Sequence, residues 1–201
     1  MKSMKEREVW DLTDLPPNWK PITGRWVVVK KGNGCIKAQF VAKGFTQVFG
    51  IDFEETFSPV ARFETVRLLL ALASLEDWEI EGLDVKTTFL FGDLDEEIYL
   101  TQPEGFVIKG RETQVCKLKK SLYGLKQAVL QWNKALHKSV TEMGFTRTHS
   151  DAGVYVFFDK KDIVIMLIYV DDALFIGNNR NLLMKKKKQF MLKWEIGRAH
   201  V

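Results

Sequence analysis

Residues 163–177 read IVIMLIYVDDALFIG. Two apolar runs, 163–170 and 173–177, flank the adjacent acids Asp171 and Asp172. Each run has the length and the β-branched and aromatic content of a buried strand, and the short polar break between them predicts a tight hairpin. Acids at the edge of a buried sheet need a cation or hydrogen bonds to compensate them. The alternative interpretation is that Asp-Asp is simply good turn chemistry.

The flanking sequence predicts further strands and helices without regular strand–helix alternation. The predicted strands are 26–31, 36–42, 78–85, 97–101, 115–118 and 153–158, with the turn at 32–34 joining the first two into a hairpin. This order favours an α+β fold, in which a mostly antiparallel sheet is backed by helices.

Three helices complete the prediction. Ser58 is expected as the N-cap of the first, with Pro59 at its first helical position and an apolar face made by Phe63, Val66, Leu70 and Ala73. The second runs from Leu125 to Met143, where apolar residues recur at three- and four-residue spacing, and Gly144 closes it. The third covers residues 180–193.

A third acid, Asp84, ends the predicted strand at 78–85 and leads into the sequence VKTTFL. An N-cap or an ordinary strand-end acid is the simpler interpretation. If this strand end and the Asp171–Asp172 hairpin converge, three carboxylates would repel one another unless hard cations lay between them. Mg²⁺ suits that role, because it is often held by one or two carboxylates together with substrate phosphates. Two such ions can activate a 3′-hydroxyl and stabilise a leaving pyrophosphate.

The bulk composition excludes several other classes of protein. The chain has 201 residues, 46% of them hydrophobic and 28% charged, with a formal net charge of +4, which is ordinary for a globular protein. Cys35 and Cys116 form no CxxC pair, and the three histidines are far apart, so neither a zinc site nor a disulfide framework is indicated. We expect no membrane partner, because no apolar run approaches the roughly 18 residues of a membrane helix.

Several long motifs occur in a fixed order along the chain. They are VAKGFTQ at 41–47, GIDFEETFSPV at 50–60, LDVK at 83–86, SLYGLKQ at 121–127 and YVDD at 169–172. On these motifs the chain resembles the reverse transcriptase domain of copia-type long-terminal-repeat retrotransposons, which is a part of their Pol polyprotein. The resemblance runs from about Trp10 to Trp194.

The resemblance implies a fold and an activity. The fold would be the fingers and palm of a right-hand polymerase over residues 10–194, with the thumb missing, followed by a non-native tail at 195–201. The activity would be that of an RNA-directed DNA polymerase, which transfers nucleotides from dNTPs to a primer 3′-hydroxyl using two Mg²⁺ ions, or Mn²⁺ in their place. The implied partners are dNTPs and a primed RNA or DNA template. The implied location is a cytoplasmic virus-like particle, and the ribonuclease H and integrase parts of Pol would be absent from this chain.

The resemblance also assigns roles to individual residues. The catalytic acids would be Asp84, Asp171 and Asp172, and the metal ligands would be Asp84, Asp171 and the backbone carbonyl of Val85. The expected nucleotide-binding residues are Lys37, Lys43, Phe89, Gly124, Lys126 and Gln127. Phe89 would exclude a ribose 2′-hydroxyl, and the lysines would meet phosphate.

Simpler interpretations remain open for these residues and for the chain. Phe89 is equally consistent with a core aromatic, Lys37, Lys43 and Lys126 with surface lysines, and the run at 185–188 with a solvated helix face rather than a nucleic-acid contact. For the whole chain, the alternatives are an inactive, truncated remnant with residual nucleic-acid binding, and a nucleotide cyclase on a similar palm-like fold.

Overall fold

A computed structural model describes residues 1–30, 32 and 34–196. Lys31 and Asn33, which fall in the predicted hairpin and its turn, lie outside the described residues, as do residues 197–201 of the predicted tail. The chain divides into two compact units. The first consists of residues 1–57 and 89–132, and the second of residues 58–88 and residues from 133 onward.

Helices and strands follow one another without regular alternation along the described residues. The helices are α1 (Lys2–Glu6), α2 (Phe63–Leu75), α3 (Ala128–Glu142) and α4 (Arg180–Lys193). The strands are β1 (Trp10–Thr13), β2 (Gly24–Lys30), β3 (Ile36–Ala42), β4 (Glu79–Asp84), β5 (Tyr99–Thr101), β6 (Val115–Leu118), β7 (Thr146–Arg147), β8 (Val154–Asp159), β9 (Asp162–Tyr169) and β10 (Asp172–Gly177).

The first unit contains an antiparallel sheet with the strand order β1-β6-β5 and a separate antiparallel hairpin, β2–β3. The hairpin is the one predicted from the sequence. Phe40 and Ala42, at the base of β3, join Leu100, Cys116 and Leu122 in one buried apolar cluster. The far end of the hairpin is exposed, as at Val28 and Ile36, so its base is anchored in the core while its tip faces solvent.

The second unit is built on an antiparallel sheet with the strand order β4-β10-β9-β8-β7. Residues 164–168 of β9 are all buried, because the sheet carries apolar neighbours on both faces. Ile165 and Ile176 pack with Ala73 of α2 on one face, and Phe175 meets Phe190 of α4 on the other, with ring centroids 5.5 Å apart. Full burial of one such side chain contributes about 1.5–3 kcal/mol. These antiparallel sheets, together with the helices, confirm the expected mixed α and β fold.

The start of α2 differs from the prediction. The helix begins at Phe63 with Arg62 in the N-cap position, not at Ser58 and Pro59. The later start is explained by Ala61, the residue before the N-cap. Its N–H donates to the Ile168 carbonyl, so the backbone at Ala61 runs beside β9 instead of entering a helix. The buried face shifts accordingly: Val66, Leu69 and Ala73 pack on the sheet, whereas Phe63 and Leu70 are exposed.

The start of α3 also lies later than predicted, at Ala128 rather than Leu125. The residues before it form turns instead: Gly124 has a left-handed φ of 91°, and the Ala128 N–H donates to the Leu125 carbonyl over 3.2 Å. None of the helices in the described part of the chain combines the length and apolar character that a membrane crossing demands.

Candidate active site

The hairpin that carries Asp171 has a two-residue turn. Tyr169 and Asp172 are the last paired residues of β9 and β10, which leaves Val170 and Asp171 as the turn itself. Val170 has a φ of 57°, in the left-handed region that β-branched residues rarely enter. Such conformations cost about 1–3 kcal/mol and occur preferentially where a site requires them. This tight hairpin confirms the strand–turn–strand prediction, but the turn lies one residue earlier than the Asp171–Asp172 pair suggested, because Asp172 already pairs with Tyr169 and Asp84 in β10.

The third acid lies on the adjacent strand. Asp84 of β4 and Asp172 of β10 are directly opposite each other in the antiparallel register. One residue further along, the Val85 N–H donates to the Asp171 carbonyl oxygen over 2.8 Å. The second unit therefore brings Asp84, Asp171 and Asp172 together at one edge of its sheet, on backbones that are hydrogen-bonded to each other.

The electrostatics of this edge favour a bound cation. Directly opposed residues on antiparallel strands have Cβ atoms about 4.5–5.5 Å apart, and like charges there destabilise the pair. Asp171 and Asp172 are exposed and Asp84 is half-buried, so a solvated ion can reach them.

The donor set limits which ions fit. Among the described residues, no three histidine, cysteine or acidic side chains form a cluster that could enclose a metal on their own. Two or three carboxylates at an open edge instead suit a hard ion such as Mg²⁺, which keeps water or phosphate oxygens in its shell. The Val85 carbonyl is a further oxygen at this edge. In a strand the N–H and C=O of one residue point to the same side, and the Val85 N–H donates to the Asp171 carbonyl.

Thr87 is a feature of this edge that the sequence interpretation missed. It lies three residues after Asp84, has a φ of 53°, and is the second β-branched residue here with a left-handed backbone. Its hydroxyl is buried without a hydrogen-bond partner in the described part of the chain. No sequence signal marks a threonine for this conformation, because Asn, Asp and Gly are the residues that usually adopt it.

In the first unit, the predicted nucleotide-binding lysines are placed by the β2–β3 hairpin. Lys37 is exposed on β3, opposite Val29 of β2. Lys43 follows the end of β3 and is half-buried, and its backbone N–H donates to the Thr23 carbonyl over 2.8 Å.

Three of the quoted motifs meet in the first unit. The Gln127 side chain is fully buried and donates to the Asp52 carbonyl (2.8 Å) and to Glu96 (3.2 Å), while its oxygen accepts from Gln47 (3.0 Å). The Gln47 side chain in turn accepts from the Lys126 backbone N–H over 2.7 Å. Because both ends of the Gln127 amide are engaged with protein groups, this residue holds the motifs together.

Gly124 and Lys126 occupy this junction as well. A Cβ at Gly124 would lie 2.1 Å from the Ala42 carbonyl oxygen, so only glycine permits the close approach to β3. The Lys126 ammonium lies 4.5 Å from the centroid of the Phe53 ring, a cation–π distance. Phe89 is half-buried and packs edge-to-face with Tyr123, with centroids 4.7 Å apart, so it contributes to the core.

The sequence of the chain matches the family described as "Reverse transcriptase (RNA-dependent DNA polymerase)" over residues 7–199. The chain belongs to the reverse transcriptase family. It is 45% identical, over 93% of its length, to the retrovirus-related Pol polyprotein from transposon TNT 1-94 of Nicotiana tabacum. It is also 44% identical, over 87% of its length, to the Pol polyprotein from transposon RE1 of Arabidopsis thaliana. The expected resemblance to copia-type elements is confirmed.

A more distant similarity joins this reverse transcriptase chain to yeast elements, at 27% identity over 94% of its length to the transposon Ty1-DR4 Gag-Pol polyprotein of Saccharomyces cerevisiae. The chain spans only 14% of the tobacco polyprotein and 12% of the Arabidopsis one.

The lysine run of this reverse transcriptase domain divides into two kinds of residue. Lys185 and Lys188 are exposed, as the solvated-face interpretation expects, but Lys186 and Lys187 are buried. The Lys187 ammonium donates to Glu81 over 2.6 Å. Lys186 donates to the Met143 carbonyl over 2.7 Å and lies 3.3 Å from the centroid of the Phe157 ring. Within the run at 185–188, only Lys185 and Lys188 are therefore exposed to solvent.

Proposed function

We propose that this chain is the catalytic part of an RNA-directed DNA polymerase that transfers nucleotides from dNTPs to a primer 3′-hydroxyl. The observation that carries the proposal is the pairing of Asp84 with Asp172, with Asp171 in the adjoining turn bonded to Val85. In this proposal the second unit serves as the palm, and the β2–β3 hairpin belongs to the fingers. Family membership favours this function over that of a nucleotide cyclase.

The proposed metal ligands are the carboxylates of Asp84 and Asp171 and the carbonyl of Val85. When bound, two Mg²⁺ ions, or Mn²⁺ in their place, would favour the deprotonated primer hydroxyl and neutralise charge on the leaving pyrophosphate. The chain itself supplies orientation. The register of β4 and β10 fixes Asp84 beside Asp172, and the constrained Val170 turn fixes the direction of Asp171. Groups that are oriented in advance need no reorganisation at the moment of reaction.

The proposed nucleotide-binding residues act in two ways. Lys37, Lys43 and Lys126 would neutralise phosphate charge, and the half-buried Phe89 ring would exclude a ribose 2′-hydroxyl. Gly124 and Gln127 would act indirectly, because their close packing and buried hydrogen bonds fix the backbone that carries Lys126. The partners in this proposal are dNTPs and a primed RNA or DNA template, and the location is the cytoplasmic virus-like particle of the parent element.

Primer extension on an RNA template tests the proposed activity. Purified protein should add dNTPs to an annealed DNA primer in Mg²⁺, and Asp171→Asn should abolish the addition. Asp159→Asn removes an acid at the β8–β9 turn, which lies at the opposite end of β9 from Asp171, and should extend primers as the parent does. A folded parent protein that extends nothing would overturn the proposed activity, and would leave the inactive remnant as the description of this chain.

A further inference from the structure

The strand that leads to Asp171 changes partners three residues before it. On its β8 side, β9 pairs as far as Leu167, which is opposite Val154. Beyond that point β8 no longer continues. The Ile168 N–H donates to the Gly153 carbonyl over 2.8 Å, and the Ile168 carbonyl accepts from the Ala61 N–H over 3.2 Å. The end of β9 is therefore held by two residues from outside the sheet's regular strands.

One buried carboxylate bonds to Gly153 and to Arg62, the residue that follows Ala61. The Asp151 side chain accepts from the Gly153 N–H through Oδ1 and from the Arg62 N–H through Oδ2, each over 2.9 Å. Asp151 is only 5% exposed. Its carboxylate also receives a hydrogen bond from the Thr65 side chain. Asp151 thus links Gly153 with Arg62, the residue after Ala61, although Asp151 and Arg62 are 89 residues apart in sequence.

The packing between the two partners leaves little freedom. A Cβ at Gly153 would lie 2.2 Å from the Ala61 backbone nitrogen, so the two segments are in close contact. A hydrogen bond to a charged acceptor is roughly twice as strong as one between neutral groups. The Asp151 carboxylate therefore makes strong bonds to the two segments, at Arg62 and at Gly153, whose neighbouring groups bond to Ile168.

We propose that Asp151 is a positioning residue for the polymerase reaction: by binding Arg62 and Gly153 it fixes the Ile168 backbone, and thereby the turn that carries Asp171. This inference rests on the proposed function. The competing explanation is that Asp151 only caps α2, whose own N-cap residue, Arg62, makes no side-chain cap bond. A cap alone would affect stability and leave the reaction rate of the folded protein unchanged.

The Asp151→Asn variant separates these explanations. An asparagine amide must direct a donor at one of the two N–H groups, so one contact is lost while the size of the side chain is kept. We expect kcat for primer extension to fall by about tenfold or more, because small displacements of reacting groups are costly. The KM for dNTP should change by less than roughly twofold, since the substrate contacts are untouched. Hydrogen exchange at the Ile168 and Ala61 amides should also accelerate.

Asn179→Ala is the matched control. The Asn179 side chain caps α4 by accepting from the Asn181 and Leu182 N–H groups, and it donates to Asp162 at the opposite end of β9. This variant loses a helix cap in the same unit, but the loss is at the wrong end of the strand. At a temperature where both variants are folded, its kcat should equal that of the parent. An equal loss of kcat in both variants, or normal kcat and normal Ile168 exchange in Asp151→Asn, would overturn the inference.

A second variant and a second measurement test the inference if Asp151→Asn does not fold or if the parent extends no primer. If Asp151→Asn does not fold, Thr65→Val removes a single bond to the carboxylate and should lower kcat by a smaller factor; an unchanged kcat would overturn the inference.

If the parent itself extends no primer, the proposed function fails separately. The inference is then judged by Mn²⁺ binding, measured by electron paramagnetic resonance. Asp151→Asn should bind Mn²⁺ more weakly than Asn179→Ala does, and equal affinities would contradict it.

Discussion

Asp84 and Asp172 place two negative charges opposite each other on neighbouring strands, an arrangement that lowers the stability of the pair. The effect of Asp84 on stability can therefore be distinguished from its effect on activity, because the two should have opposite signs. In the absence of metal, Asp84→Asn should stabilise the fold by about 0.2–1 kcal/mol, because it removes the repulsion. The same variant should have no polymerase activity, because it removes a proposed metal ligand.

Urea unfolding in EDTA, together with primer extension, measures both effects of Asp84→Asn. Asp159→Asn is the matched control, since it also removes one acid of a facing pair, Asp159 opposite Asp162, but at the far end of β9 from the site. Asp84→Asn protein that is markedly less stable than the parent would show that Asp84 serves the fold rather than the site.

Asp151 makes a pH-dependent contribution to stability. Burial alone would raise the pKa of Asp151, but the hydrogen bonds from Thr65, Arg62 and Gly153 outweigh burial and hold the pKa below its usual value of 3.8. A carboxyl whose pKa is lower in the folded state stabilises the protein above its unfolded pKa, and that stabilisation is lost as the pH falls through the folded pKa.

The difference in unfolding free energy between the parent and Asp151→Asn isolates this contribution, because the other acids titrate in both proteins. The difference should be constant above about pH 5 and should shrink as the pH falls below the ordinary carboxyl range. Urea titrations between neutral and acid pH measure it. A difference that stays constant throughout would mean that the carboxylate is not the group that stabilises the start of α2.

At the scale of the element, α4 shows how one lysine run can serve two purposes. The side chains of Lys187 and Glu81 are 9% and 22% exposed, so their ion pair is largely removed from water. The Lys186 ammonium lies against the Phe157 ring, and burial lowers its pKa, with the nearby charge of Lys185 lowering the pKa further. The helix is thus fixed to the sheet by residues that composition alone would assign to the surface.

Lys187→Met should destabilise the protein by about 2–3 kcal/mol, because it leaves Glu81 partly buried without its counter-charge. Adding Glu81→Leu should recover much of that loss, since apolar replacement of both members of a buried pair is often neutral. Lys188→Met, on the exposed face, should change stability by less than about 0.5 kcal/mol. Urea unfolding measures all three. Equal effects at Lys187 and Lys188 would contradict the buried ion pair.

The β2–β3 hairpin offers a matched pair of lysines. Lys37 is opposite Val29, whereas Lys30 is opposite Ile36, the next pair along, so the two lysines project from opposite faces of the hairpin. If Lys37 contacts the triphosphate, Lys37→Ala should raise the KM for dNTP by about tenfold, the value of one charge-assisted hydrogen bond. Lys30→Ala removes the same charge and should leave KM nearly unchanged. Steady-state primer extension compares them; equal effects would reduce the role of Lys37 to general electrostatics.

At the scale of the whole molecule, the sequence predicted the elements better than the contacts between them. The strand–turn–strand around Asp171 and the hairpin at β2–β3 follow from local apolar patterns and turn residues, and both were confirmed. The start of α2 was wrong because it depends on Ile168 and Asp151, which are distant in sequence. The buried bonds of Gln127 and Lys187 were missed for the same reason, since polar residues give no periodic signal when their partners are remote.

The family motifs supplied what periodicity could not, namely the expectation that Asp84 belongs with Asp171 and Asp172. The geometry of the second unit brings these acids together, and their roles as metal ligands stay predictions. Unfolding of the whole chain tests those roles without any turnover. An ion that binds only the folded protein stabilises it in proportion to RT ln(1 + [ion]/Kd), which is about 1.4 kcal/mol at ten times the Kd.

Mg²⁺ should therefore raise the urea midpoint of the parent and of Asp159→Asn, and should leave that of Asp84→Asn almost unchanged. NaCl at matched ionic strength controls for screening of the repulsion between Asp84 and Asp172. Asp84→Asn is expected to be more stable than the parent in EDTA. As Mg²⁺ is added, the difference in stability between the two proteins should therefore shrink or change sign. An identical rise in the parent and Asp84→Asn would mean that the ion binds elsewhere, and the acids would then need another explanation for lying so close together.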